Sequence, residues 1–168
     1  MKRLTVLRIL THVLYVLSKI AIFFVVPFVF VMAVMPERIP FKIDGQAASS
    51  YGAETIIYLL VSSVGLVLDI YALYSFKKLL RLFEKNVIFH LDVIKTLNQI
   101  GKAILIAYTL YFTSDLLYFN LVENTIDLEF VTDWESTMIS FGLGLFFLVL
   151  GDVFLIAKDI KEENDLTV

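Results

Sequence analysis

The sequence contains no cysteine. That absence excludes disulfides, thiolate zinc sites and cysteine nucleophiles, and leaves the compartment open. Histidine is almost missing too: there are two, His12 and His90, and neither stands in an HxxxH or HxxE spacing that would ligate a metal. Charged residues make up only 18% of the chain, where an ordinary soluble domain carries about 25%. No GxxxxGKS/T phosphate loop, GxGxxG dinucleotide fingerprint, GxSxG nucleophile elbow or HExxH motif occurs. Catalysis needs a nucleophile or metal with an orienting partner, so the expectation is no enzyme, no metal and no cofactor. The basic residues are too few for a nucleic-acid platform, and no direct nucleic-acid contact is expected.

What the chain has instead is apolar length. Hydrophobic residues make up 59% of its 168 positions, and the mean hydropathy is +0.83. Four runs stand out, at 13–35, 55–75, 101–121 and 137–157. Each is about the 20 residues that an α-helix needs to cross a hydrocarbon core of roughly 30 Å. A membrane β-strand would need only about 10 residues in strict alternation. The first run follows Lys2, Arg3 and Arg8 and contains "VMA" at 31–33, as a cleaved signal can. It is longer than the roughly 7–15 residues of a signal core, so it is read as a retained span. The whole chain, 1–168, is expected to be a single membrane domain.

Orientation follows the lysines and arginines. They crowd the N-terminus (Lys2, Arg3, Arg8) and the connection 76–100 (Lys77, Lys78, Arg81, Lys85, Lys95), and are absent between the third and fourth runs. Both termini and the middle connection are therefore expected in the cytoplasm. The expected fold is an all-α membrane protein, an antiparallel four-helix transmembrane bundle with N-in/C-in topology. The second helix should run on to about Lys85 and stop at Asn86, and the third should begin near Leu91 or Asp92. The segments 39–44 (IPFKID) and 125–130 (TIDLEF) alternate apolar and polar residues. They are expected to pair as a short hairpin-like extracytoplasmic cap.

Each run carries one residue that is costly in lipid: Lys19, Asp69, Asp115 and Asp152. On the assumption that all four runs centre on one plane, Lys19, Asp69 and Asp152 share a level near the inner leaflet, and Asp115 lies toward the outer end. Helical spacing extends stripes from them through Tyr15 on the first helix, Ser62 and Gly65 on the second, Tyr108 and Tyr111 on the third, and Gly144 and Gly151 on the fourth. These stripes should face the bundle interior and line any pocket there. Two readings of the charges stay open. In one, Lys19 pairs with Asp69 or Asp152 to lock the bundle. In the other, the carboxylates form a proton, ion or small-ligand site.

The middle connection is basic and the tail, 158–168 (KDIKEENDLTV), is net acidic. The basic surface suits anionic lipid headgroups or a docked cytoplasmic protein. Glu162, Glu163 or Asp165 is expected to fold back onto Lys77, Lys78, Arg81 or Lys85, with Leu166 and Val168 packed beneath, as an internal clasp.

The strings "FKKLLRLFEKNVIF", "LNQIGKAILI" and "LGDVFLIAKDIKEENDLTV" resemble a bacterial family of small four-helix integral membrane proteins, domain of unknown function 2975. The match is closest over 161–168. The chain departs from the family where "FHLDVIKTL" lacks a Ser/Thr cap and acidic pair, and where Ile156-Ala157 replaces a common Arg-Gly pair. The resemblance implies a bacterial cytoplasmic-membrane protein. It also implies a neighbouring helix-turn-helix regulator as partner, because such regulators are often encoded beside family members. Beyond the lipid bilayer, the expected role is thus regulatory interaction with that regulator. The alternative is a small ion- or proton-coupled carrier or channel, in either case with homo-oligomerisation open.

Overall fold

The computed structural model describes residues 2–35, 37, 39, 42–43, 46–47, 52–118 and 129–166. Four long helices dominate: α1 (Lys2–Val34), α2 (Ala53–Glu84), α3 (Leu91–Tyr118) and α4 (Glu129–Leu166). All four contain a stretch long and apolar enough to cross a membrane, and they mark the chain as a multi-pass membrane protein. Hydroxyl side chains inside them bond to their own helix: Thr11 donates to the Leu7 carbonyl, Ser63 to Leu59, Thr109 to Leu105 and Ser140 to Ser136. In an apolar medium this satisfies each donor without a neighbour.

The turn between α2 and α3 is built from local chemistry. Asn86 takes φ 57, in the left-handed region that asparagine tolerates better than most residues. Its N–H donates to the Phe83 carbonyl at 3.1 Å and that of Val87 to Leu82 at 3.2 Å. This is the two-bond C-terminal motif that satisfies the last carbonyls of a helix. Four residues later His90 starts α3: the Asp92 N–H donates to its Nδ1 at 3.3 Å. The histidine ring supplies the acceptor that a Ser or Thr cap would otherwise give.

The helices pack in chain order, α1 on α2, α2 on α3 and α3 on α4. α3 is the least apolar of the four, yet 33% of its most apolar stretch is buried against 11% in each of the others. It is the middle element. Val93, Leu97, Ile100, Ala103 and Ala107 carry the core along it, each at most 4% exposed. α1 is peripheral: among its described residues Thr11, Val29 and Met32 are the buried ones.

Contacts fix the register. Arg8 meets Glu84, His12 meets Lys77 and Tyr15 stacks near Tyr74, so numbers rise along α1 as they fall along α2. Tyr58 lies on Tyr118 and Gly65 on Tyr111, the same opposite order for α2 and α3. Gly101 lies against Gly144 and Asn98 against Gly151, again opposite, and Phe76–Phe147 and Phe83–Phe154 run in the same order for α2 and α4. The spans expected from sequence would set Ser75 level with Ala157. Phe76 instead meets Phe147, a slide of about ten residues, or roughly 15 Å.

The expected cap differs as well. Lys42–Ile43 (β1) pairs antiparallel with Gln46–Ala47 (β2), Lys42 opposite Ala47 and Ile43 opposite Gln46. Glu129 and Phe130 already belong to α4, and 125–128 lie outside the described residues. The short hairpin is therefore local to the first connection, because a two-residue turn closes at far less entropic cost than a pairing across 80 or so residues.

The α3–α4 contact depends on missing side chains. A Cβ at Gly101 would stand 2.7 Å from the Gly144 carbonyl oxygen; at Gly144 it would meet Leu105 side-chain carbons at 2.8 Å, and at Gly151 the Asn98 Oδ1 at 2.8 Å. A carbonyl cannot move aside, whereas the tips of Leu105 and Asn98 can. Unfolding in detergent micelles should show Gly101→Ala as the most damaging of the three, by about 1–3 kcal/mol, the usual cost of overpacking. Equal losses at all three would show that the backbone contact is not the limiting one.

Candidate functional site

The polar residues inside the bundle gather on the seam between α2 and α3. Small residues let the helices close: Gly65 is buried, and the Tyr111 ring fills the space where its Cβ would be, with Cε1 2.5 Å from that point. One turn along, the Tyr111 hydroxyl donates to Asp69 Oδ2 at 3.1 Å. Nearer the opposite end the arrangement repeats with the helices exchanged: Asp115 of α3 stands beside Tyr58 of α2, with Ser62 also in reach. Each intramembrane carboxyl group of this seam thus faces a phenol on the other helix. Aspartate is too short to reach the headgroups, so a donor within the bundle offsets part of its desolvation.

Asp69 also borders a cleft of about 410 Å³ between α2, α3 and α4. Phe76, Ile104, Tyr108, Ser140 and Phe147 are among its walls. One carboxyl group among aromatic and aliphatic walls is the composition of a small-ligand site, with few polar groups to fix orientation. Aromatic faces beside a carboxylate suit a cation. A second cleft, about 340 Å³, lies between α2 and α3 and is bordered by Glu54, Tyr58, Thr113, Ser114 and Tyr118. Among the described residues no three His, Asp or Glu side chains gather as metal ligands would.

The structure brings together some of the residues that the sequence singled out. Asp69, Ser62, Gly65, Tyr108, Tyr111 and Asp115 all lie on or beside the α2–α3 seam. Lys19 does not join them: its ammonium lies 4.8 Å from the centroid of the Tyr15 ring, on the exposed side of α1. Lys77 approaches the same ring at 5.0 Å while bonding His12 Nδ1 at 2.8 Å. Asp152 is exposed on α4 and sits two residues before Phe154, which stacks on Phe83. That places it near the end of α2, about 12 residues or roughly 18 Å along the axis from Asp69. The expected inner cluster of Lys19, Asp69 and Asp152 is thus not assembled. Gly151 is buried against Asn98 and does not line the cleft.

The tail also departs from expectation. α4 continues through it as a helix to Leu166. Glu162 bonds Lys158 at 2.7 Å on its own helix, Lys161 lies over the Phe89 ring, and Leu166 is 87% exposed. An i,i+4 pair forms within the helix without the chain reversal that the clasp would need. Lys78, Arg81, Lys85, Glu163 and Asp165 are exposed. Sequence reasoning missed Phe76, Ser140 and Phe147 as cleft walls, and Glu84 as the partner of Arg8 at 2.6 Å. No local signal marks them, since each depends on the register between helices.

A family model described as "Protein of unknown function (DUF2975)" matches residues 38–168. No curated protein and no solved structure matches the chain.

Replacing Tyr111 by Phe leaves the Asp69 carboxyl group facing an apolar ring. Stability in micelles should fall by about 1–3 kcal/mol, the cost of a buried polar group left unsatisfied. In the Asp69→Asn background the same change should cost less, and a double-mutant cycle with no coupling would dismiss the bond.

Proposed function

The chain belongs to the DUF2975 family, proteins of unknown function, and we propose that it is a non-catalytic regulatory membrane protein that binds a cytoplasmic partner. The antiparallel bundle sits N-in/C-in in a bacterial cytoplasmic membrane, as the lysines and arginines of the connection 76–100 favour. The supporting observation is the end of α4: its last two turns, 159–166, are exposed and helical, with Asp159, Glu162, Glu163 and Asp165 against a single lysine. The exposed basic residues Lys78, Arg81 and Lys85 lie on the last turns and C-cap of α2, at the same end of the bundle. A rigid helix presents side chains at fixed spacing and loses less entropy on binding than a loose tail does. Helix-turn-helix regulators are often encoded beside proteins of this family, which makes such a regulator the partner of choice. Pull-down of that regulator should succeed with the intact protein and fail with the Glu162→Lys, Glu163→Lys, Asp165→Lys triple variant. Equal recovery with both, or none with either, would overturn the reading.

A second reading rests on the Asp69 cleft, which supports a small ion- or proton-coupled carrier. Reconstituted in liposomes, the protein should then carry a proton or cation flux that Asp69→Asn abolishes and Asp152→Asn leaves intact. Flux that survives Asp69→Asn counts against the cleft as the path.

A further inference from the structure

The face of α4 turned away from α3 carries an apolar pattern that the bundle does not use. Ile139, Phe146, Val153 and Ile160 recur every seven residues, with Gly142, Val149 and Ile156 three residues after the first three of them. This alternation of three and four is the a/d pattern of a helix pair, sustained over three heptads. The six large side chains are 52–72% exposed. The opposite positions of the same heptads are Gly144, Gly151 and Lys158, of which the two glycines are buried on α3 and the lysine side chain is 17% exposed. The stripe therefore points straight out of the protomer.

Lipid covers only part of it. Val149, Val153, Ile156 and Ile160 follow Phe147, which meets Phe76 at the start of the basic stretch of α2. At that level α3 exposes Asp92, Lys95 and Gln99, and α2 exposes Lys78, Arg81 and Lys85. α2 and α3 thus present polar surface where α4 presents valine and isoleucine. A slide of about 15 Å relative to the other spans brought the stripe there, and an apolar stripe among headgroups and water is an interface.

We propose that the occupant is the α4 of a second copy of this chain, packed in parallel about an axis along the membrane normal. Such an axis is the symmetric arrangement that keeps both copies in the same topology. It places each a residue on its own counterpart and each d residue likewise. No charge lies at a or d between 139 and 160, and the acids beside the seam, Asp152 and Asp159, sit at g positions, which meet the other copy's Ala157 and Asn164 at e rather than one another. A Cβ at Gly142 would meet no other part of the described chain within 4 Å, so this position is open for the two backbones to approach. At these exposures the six side chains offer on the order of 100 Å² each, so a symmetric pair covers about 1,200 Å², the size of a specific interface.

The cysteine-free sequence gives a clean test. Single variants Val149→Cys, Val153→Cys, Ile156→Cys and Ile160→Cys of the full chain are oxidised in native membranes, and again in liposomes at falling protein-to-lipid ratio. Phe23→Cys, on the equally exposed face of α1, reports random collision. The seam positions should give disulfide-linked dimers on the order of tenfold more than Phe23→Cys, an excess that persists on dilution because a held pair keeps its effective concentration. Equal linkage at Phe23 and the seam would mean collision alone. Absence of linkage at all four seam positions would assign the stripe to lipid or to an unlike protein. Either result overturns the proposal, and neither bears on whether the tail binds a regulator.

Discussion

The backbone contact between Gly101 and Gly144 sets the arrangement of everything around it. Two helices that touch through glycine approach more closely than helices kept apart by side chains, and they do so at one register. That register places Gly151 against Asn98 and brings Phe147 to Phe76 and Phe154 to Phe83. It also rotates α4 so that its seven-residue stripe faces away from the protomer.

Within the seam of α2 and α3 the electrostatics are modest and local. A lysine–aspartate pair in hydrocarbon removes two charges from water and recovers the loss only with good geometry and further hydrogen bonds. The structure uses phenols instead, Tyr111 for Asp69 and Tyr58 beside Asp115. A phenol is itself neutral, so each pair buries at most one charge. The Tyr111 ring also fills the space over Gly65. The lysines are left where flexible stems can reach an aromatic face, as Lys19 and Lys77 do over Tyr15.

The features that could be read from the sequence are those that local physics decides. Apolar length announces each span. Asn86 announces the end of α2, since few residues accept its positive φ, and the stripe through Gly65 and Asp69 announces which face of α2 is covered. The choice of partner was not legible, because it depends on register across helices distant in the chain. The assumption that every apolar run centres on one plane put Asp152 beside Asp69. Glycine packing overrides that assumption and slides α4 by about ten residues. The acid–base clasp of the tail failed for a similar reason: opposite charges four residues apart on one helix, Lys158 and Glu162, satisfy each other first. His90 as a cap lay in plain view but outside the usual set of capping residues.

α4 is a single helix of 38 residues, which amounts to roughly 57 Å of uninterrupted rod. Held at its middle by α3, such a rod is a lever. A tilt of about 10° about the glycine contact, within the range of packed-helix adjustments, would sweep the acidic tip near Leu166 sideways by several ångströms and the far end in the opposite sense. A stimulus that reaches the chain on one side of the bilayer therefore needs no chain of side-chain rearrangements to be felt on the other.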